Sequence, residues 1–318
     1  MSADPPQPSM PPEPGRAQPG YARPDRAQQD TRRAAARAAL LVVVIAASMQ
    51  IGSALAVKVI GSLGIVEALW LRTAIAAALL AAVRPRGLRL PGRGDRWPVA
   101  ALTLALLAMN LSFYGAITQA PVGIVVAIEF LGPLAVAVIG TRRPIDLVWV
   151  GLAGAGVLVL AGPAASVTTL GLVLSLSAAT MWAAYLLLAK RAVAAVPPFT
   201  LTTLMLGGSA LVLTPVLFVG GVQVSGHGPA ILLGALVAVL SSAFPYFLEM
   251  VAIALVRAST YGVLLSIEPA VAALAGWLVL SQRLTLLEAA AMVAVMIAAA
   301  GASWTSGPGA EALEAPTV

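Results

Sequence analysis

Ten stretches of this 318-residue chain are apolar for long enough to cross a bilayer as helices. They run over about 38–59, 65–83, 98–117, 122–140, 146–162, 169–189, 199–220, 229–252, 259–280 and 286–304. A run of about 17–25 apolar residues spans the hydrocarbon core. Pro, Gly and Arg mark the joints, and the connections are short, so neighbouring helices are expected to be antiparallel. Only 10% of the residues are charged, against about 25% in a soluble domain. The class is therefore a polytopic all-α membrane protein.

The basic residues give the expected orientation. With the N-terminus inside, 16 of the 19 Lys and Arg fall on the cytoplasmic side. Among them are six in the N-terminal tail and five between Arg84 and Arg96. Lys58 and Arg283 fall outside, and Arg72 lies within a span. That bias follows the positive-inside rule and places both termini in the cytoplasm. It also explains the net charge of +6 without nucleic acid. Residues 1–37 are rich in Pro, Ala, Arg, Gln and Asp and read as a disordered cytoplasmic tail. Residues 306–318 read as a second one.

The two halves resemble each other. Ala46-Ala47-Ser48-Met49 with Lys58 matches Ala178-Ala179-Thr180-Met181 with Lys190, an offset of 132. Ala116-Ile117 with Pro133 matches Ala252-Ile253 with Pro269, an offset of 136. The expected domains are therefore 38–163 and 164–305, with five helices each. An odd number makes the second half enter from the opposite face, which is an inverted-topology repeat. Such repeats build alternating-access transporters with a site between the halves.

Four charges lie inside spans: Arg72, Glu129, Glu249 and Glu268. Charges in hydrocarbon are costly and normally face a cavity or a partner. Arg72 and Glu129 lie roughly 10 Å from the outer ends of their helices, from the rise of ~1.5 Å per residue. Glu268 lies near the midplane, and Glu249 near an inner end. Arg72 has two readings, a fork for a substrate carboxylate or a structural ion pair with Glu129. Glu129 and Glu268 are candidates for a substrate ammonium or a proton. The alternative is a protonated carboxyl bonded to a neighbouring carbonyl. For Glu249 the plain reading is a solvated helix end. Pro133, Pro245 and Pro269 remove backbone donors. Gly52, Gly123, Gly132 and Gly276 are expected at close helix contacts. The chain has no cysteine, one histidine, His227, and no His-Glu-x-x-His motif. An enzyme is therefore not expected, and neither is a metal or a cofactor.

Several motifs then carry a family resemblance. They include Met49-Gln50-Ile51-Gly52-Ser53, Leu71-Arg72 and Met109-Asn110-Leu111-Ser112-Phe113-Tyr114. Ala127-Ile128-Glu129-Phe130-Leu131-Gly132-Pro133-Leu134-Ala135-Val136-Ala137, Arg142-Arg143-Pro144-Ile145-Asp146, Pro245-Tyr246-Phe247-Leu248-Glu249-Met250 and Ser266-Ile267-Glu268-Pro269-Ala270 complete the set. Over about 38–305 the chain resembles the threonine/homoserine exporter branch of the drug/metabolite transporter superfamily, ten-helix proteins of paired EamA domains. The resemblance implies a bacterial inner-membrane exporter of small neutral amino acids, driven by proton antiport. An EamA transporter of another metabolite or drug is the alternative. The partners implied are the amino acid, protons and the lipid bilayer, with a homodimer permitted. Gln50, Asn110, Tyr114, Tyr185 and Tyr246 are polar residues in otherwise apolar helices, and of these Gln50, Asn110, Tyr114 and Tyr246 join Arg72, Glu129, Glu249 and Glu268 as site candidates. Interhelical hydrogen bonding is the plain reading of these five. One departure stands out: many relatives carry Gly-Glu where this chain has Ser281-Gln282.

Overall fold

The computed structural model describes residues 24–84, 91–92, 94–141, 143–162, 166–220, 228–255 and 265–305. The described residues are helical, without strands. The chain divides into two compact units, residues 1–40 and 41–318. Most of the expected N-terminal tail, the expected C-terminal tail and His227 lie outside the described residues. Among the described residues, the second unit holds every apolar segment long enough to cross a membrane.

The helices are α1 (Pro24–Leu63), α2 (Ile65–Val83), α3 (Arg96–Ala116), α4 (Val122–Glu129), α5 (Leu131–Thr141) and α6 (Pro144–Leu160). After them come α7 (Thr169–Ala195), α8 (Pro198–Gly220), α9 (Gly228–Ala238), α10 (Phe244–Leu255), α11 (Glu268–Leu280) and α12 (Leu286–Thr305). A π-turn, Val239–Ala243, joins α9 to α10. Among the described residues, eight apolar segments are long enough to cross a membrane: Val42–Leu63, Ile65–Val83, Arg96–Ala116, Val122–Ile139, Thr169–Ala195, Pro198–Val219, Gly228–Val251 and Leu286–Thr305. The two other expected spans are shorter apolar helices, Pro144–Leu160 and Glu268–Leu280. Proline sets both starts. Pro144 opens α6, where the Asp146 carboxylate accepts the Arg143 N–H at 2.6 Å. Pro269 stands in the first turn of α11. Glu268 therefore begins a helix, whereas counting along the apolar run puts it about nine residues inside one. Residues 256–264, ahead of it, lie outside the described set.

Prolines also account for the two internal breaks. A proline withholds the N–H that would pair with the carbonyl four residues earlier. Pro133 leaves the Glu129 carbonyl without that donor, and α4 ends at Glu129. Pro245 does the same to Ser241, which sits within the π-turn. Such π insertions accommodate a broken ladder and recur at functional sites.

Small residues let the helices approach closely. A Cβ on Gly52 would stand 2.7 Å from the Cβ of Ser241, so α1 lies against the π-turn. A Cβ on Gly123 would stand 2.8 Å from Ala273 Cα, so α4 lies against α11. Gly132 and Gly276, also expected at close contacts, meet the Ala179 carbonyl and the Gln282 side chain. Elsewhere α2 packs on α8, α3 on α7 and α6 on α12. Large apolar side chains point outward instead, with Phe218 83% and Leu158 75% exposed. That inversion of the soluble pattern gives lipid tails an apolar surface to meet.

Candidate functional site

The candidate cavity is built around a buried guanidinium. Arg72, on α2, is 2% exposed. Its Nη1 donates to the Tyr114 hydroxyl at 3.1 Å and to Ser241 Oγ at 3.5 Å. Its Nη2 donates to Asn110 Oδ1. The guanidinium also stands 4.9 Å from the centre of the Tyr114 ring, within cation–π range. One helix of the first half, α3, and the π-turn of the second thus fix its orientation. All of these partners are neutral. Among the described residues Arg72 makes no ion pair, so the structural pair with Glu129 weighed from the sequence is not formed. Its Nε is buried without a hydrogen-bond partner among them.

Asn110 extends the network. Its Nδ2 donates to the Leu106 carbonyl at 2.8 Å and to the Tyr246 hydroxyl at 3.1 Å. Tyr246, which is 1% exposed, in turn reaches Asn110 Oδ1 at 3.3 Å. Its ring meets that of Tyr185 edge-on, with the centroids 6.4 Å apart. The Tyr185 hydroxyl donates to Glu249 Oε2 at 2.9 Å. Glu249 is 7% exposed, which corrects the expectation of a solvated helix end.

These side chains border one cavity. Arg72, Glu129, Glu249 and Glu268 all line it, as do Gln50, Asn110 and Tyr246. Tyr114 stands behind the wall and acts on Arg72. The carboxylates arrive by a simple route. α4 and α11 are antiparallel, since Val122 at the start of α4 donates its N–H to Gln282 Oε1, beyond the end of α11, at 3.1 Å. Gly123 and Ala273 mark their contact. From there Glu129 lies about 9 Å along α4 and Glu268 about 7.5 Å back along α11, so the two share a level. Neither carboxylate makes an ion pair or a side-chain hydrogen bond among the described residues. Among those residues no three His, Asp or Glu side chains group closely enough for a metal ion.

Some lining residues were missed in the sequence, notably Ser53 and Trp182. The internal repeat held the signal. Trp182 lies 132 positions after Gln50, and Tyr185 lies 132 after Ser53. Likewise Pro245, Tyr246 and Glu249 lie 136 after Met109, Asn110 and Phe113. Every member of these five pairs lines the cavity. The departure at Ser281-Gln282 also gains a physical account. Ser281 closes α11 with φ 56°, a left-handed conformation that favours glycine. Gln282 caps α4 as a neutral amide.

Residues 169–304 match the model of the EamA-like transporter family. The chain is 38% identical over 274 residues to the threonine/homoserine exporter RhtA of Salmonella typhimurium (strain SL1344), covering 84% of this chain and 91% of that protein. It is 37% identical over 272 residues to the threonine/homoserine exporter RhtA of Escherichia coli (strain K12), with the same coverage of 84% and 91%. One solved crystal structure superposes with a TM-score of 0.62 at 18% identity, over 88% of this chain and 99% of its own, a likeness of fold alone. The chain therefore belongs to the EamA-like transporters, in the branch that contains the RhtA threonine/homoserine exporters.

Proposed function

We propose that this protein exports small neutral amino acids of the threonine and homoserine type across the bacterial inner membrane, by proton antiport with alternating access. One observation carries the reading: among the described residues, a buried guanidinium with only neutral partners faces the same cavity as two carboxylates without cationic ones. An amino-acid zwitterion supplies the missing charges. Its carboxylate meets Arg72, whose planar fork suits two parallel hydrogen bonds. Its ammonium meets Glu129 or Glu268. Glu129 is the first choice for the proton, because it ends a broken helix at the level of Glu268. A single carboxylate cannot hold a proton and an ammonium together. Proton entry therefore releases substrate, and proton release readmits it.

The architecture proposed is ten membrane passes in two inverted five-helix repeats, with both termini cytoplasmic. Helix pairing supports it. Counting α4–α5 and α9–α10 as single passes, the second pass meets the seventh, the fourth the ninth and the fifth the tenth. The third meets the sixth as the first meets the eighth, through the Ser48 hydroxyl to the Leu240 carbonyl at 2.7 Å. That pattern maps onto itself when the halves are exchanged. The test is flux in proteoliposomes with an imposed pH gradient, across a panel of labelled amino acids. Threonine and homoserine are expected to move against their own gradients. Flux that ignores the pH gradient overturns the antiport, and absence of amino-acid flux overturns the substrate class.

A further inference from the structure

Gln50 is the amide in this cavity whose acceptor is left over. It lies on α1, is 3% exposed and lines the cavity. Its Oε1 is buried with no hydrogen-bond partner among the described residues. The polar groups around it are engaged. Ser53, one turn on, donates its hydroxyl to the Met49 carbonyl at 2.9 Å. Asn110 is held by Arg72, Tyr246 and the Leu106 carbonyl. Tyr185 is spent on Glu249. A buried acceptor without a donor is costly, so it marks a place where a donor from a ligand is favoured.

The chemistry of the cavity narrows that donor. Full charges are present for both ends of a zwitterion, in Arg72 and in the Glu129–Glu268 pair. A neutral amide is matched instead to a neutral group that donates a hydrogen bond. We propose that Gln50 reads the side-chain hydroxyl of the substrate, accepting its proton at Oε1. The inference rests on the transport reading above. It makes the protein selective for hydroxylated amino acids over apolar ones of the same shape. A site built to bond a hydroxyl rejects the analogue lacking it, because its own polar atom is then left unpaired.

Threonine and valine are the probe, since they differ by a hydroxyl in place of a methyl. Gradient-driven flux of each is measured in proteoliposomes for the wild type, Gln50→Leu and Gln50→Met. The wild type is expected to prefer threonine by roughly ten- to a hundredfold. In both variants the ratio is expected to collapse at least about tenfold, through loss of threonine flux. Gln50→Met, close to Gln in length, covers the case in which Gln50→Leu lowers the amount of inserted protein. A wild type that moves both substrates equally overturns the inference and leaves the transport reading standing. So do variants that lose both fluxes in parallel, for then the amide serves the common ammonium or a water. A wild type that moves neither threonine nor homoserine fails at the transport reading and takes the inference with it.

Discussion

The two halves of the molecule share a frame and differ in charge. Five pairs of cavity-lining positions recur at the offsets of 132 and 136 that relate the halves. The charged residues of the cavity do not recur. The counterparts of Arg72 lie within Leu204–Gly208, where no residue is polar. The counterpart of Glu129 is Leu265, and that of Glu268 is Gly132. Phe113 stands where the second half has Glu249. In the proposed two-repeat architecture, a repeated backbone supplies a symmetric wall, and substitutions on it supply an asymmetric field. A zwitterion is itself asymmetric, so a wall with the same charges in both halves fits it poorly. In the transport reading proposed above, the frame rocks between two related states while the charges keep the substrate in one orientation.

The sharpest way to break this comparison is at the cation that occurs in one half only. Arg72→Lys is expected to lower threonine flux by roughly a hundredfold while the protein inserts at its normal level. A point charge replaces neither the fork nor its bonds to Tyr114 and Asn110. Near-normal flux at equal abundance would reduce Arg72 to a packing role.

The next effect separates the two carboxylates. Glu129→Gln is expected to abolish accumulation driven by the pH gradient but to leave exchange of labelled for unlabelled threonine. Glu268→Gln is expected to weaken flux and keep its response to pH. Proteoliposomes with and without the gradient distinguish these outcomes. The reverse pattern moves the proton to Glu268, and with it the coupling to the second half.

The smallest effect compares one repeated position across the halves. Tyr185 bonds Glu249 from another helix, whereas its counterpart Ser53 bonds only the carbonyl one turn back on its own helix. Tyr185→Phe is expected to cost about 1–2 kcal/mol of stability in detergent, the range for losing a bond to a charged or buried acceptor. Ser53→Ala is expected to stay within about 0.5 kcal/mol. Equal losses would mean that the repeated positions do the same work in both halves.

Much of the frame was legible along the chain. Apolar length alone marks the helices, because the hydrocarbon thickness sets it. Pro133, Pro245 and Pro269 announce the breaks through their missing N–H groups, and Gly52 and Gly123 announce close contacts. The motifs around Gln50, Asn110, Glu129, Tyr246 and Glu268 name the residues that the cavity gathers. Azimuth was not legible. Depth follows from counting 1.5 Å per residue, but successive residues turn about 100° around the axis, and only packing against distant helices decides which face meets the cavity. Hence Arg72 and Glu129, matched in depth, are not partners, and Glu249 is buried and bonded to Tyr185. Ser241 reaches Arg72 from a turn 169 residues away. The level shared by Glu129 and Glu268 rests on one contact between Gly123 and Ala273. These are consequences of tertiary packing, where small residues on separate helices set the rotation that no one-dimensional pattern records.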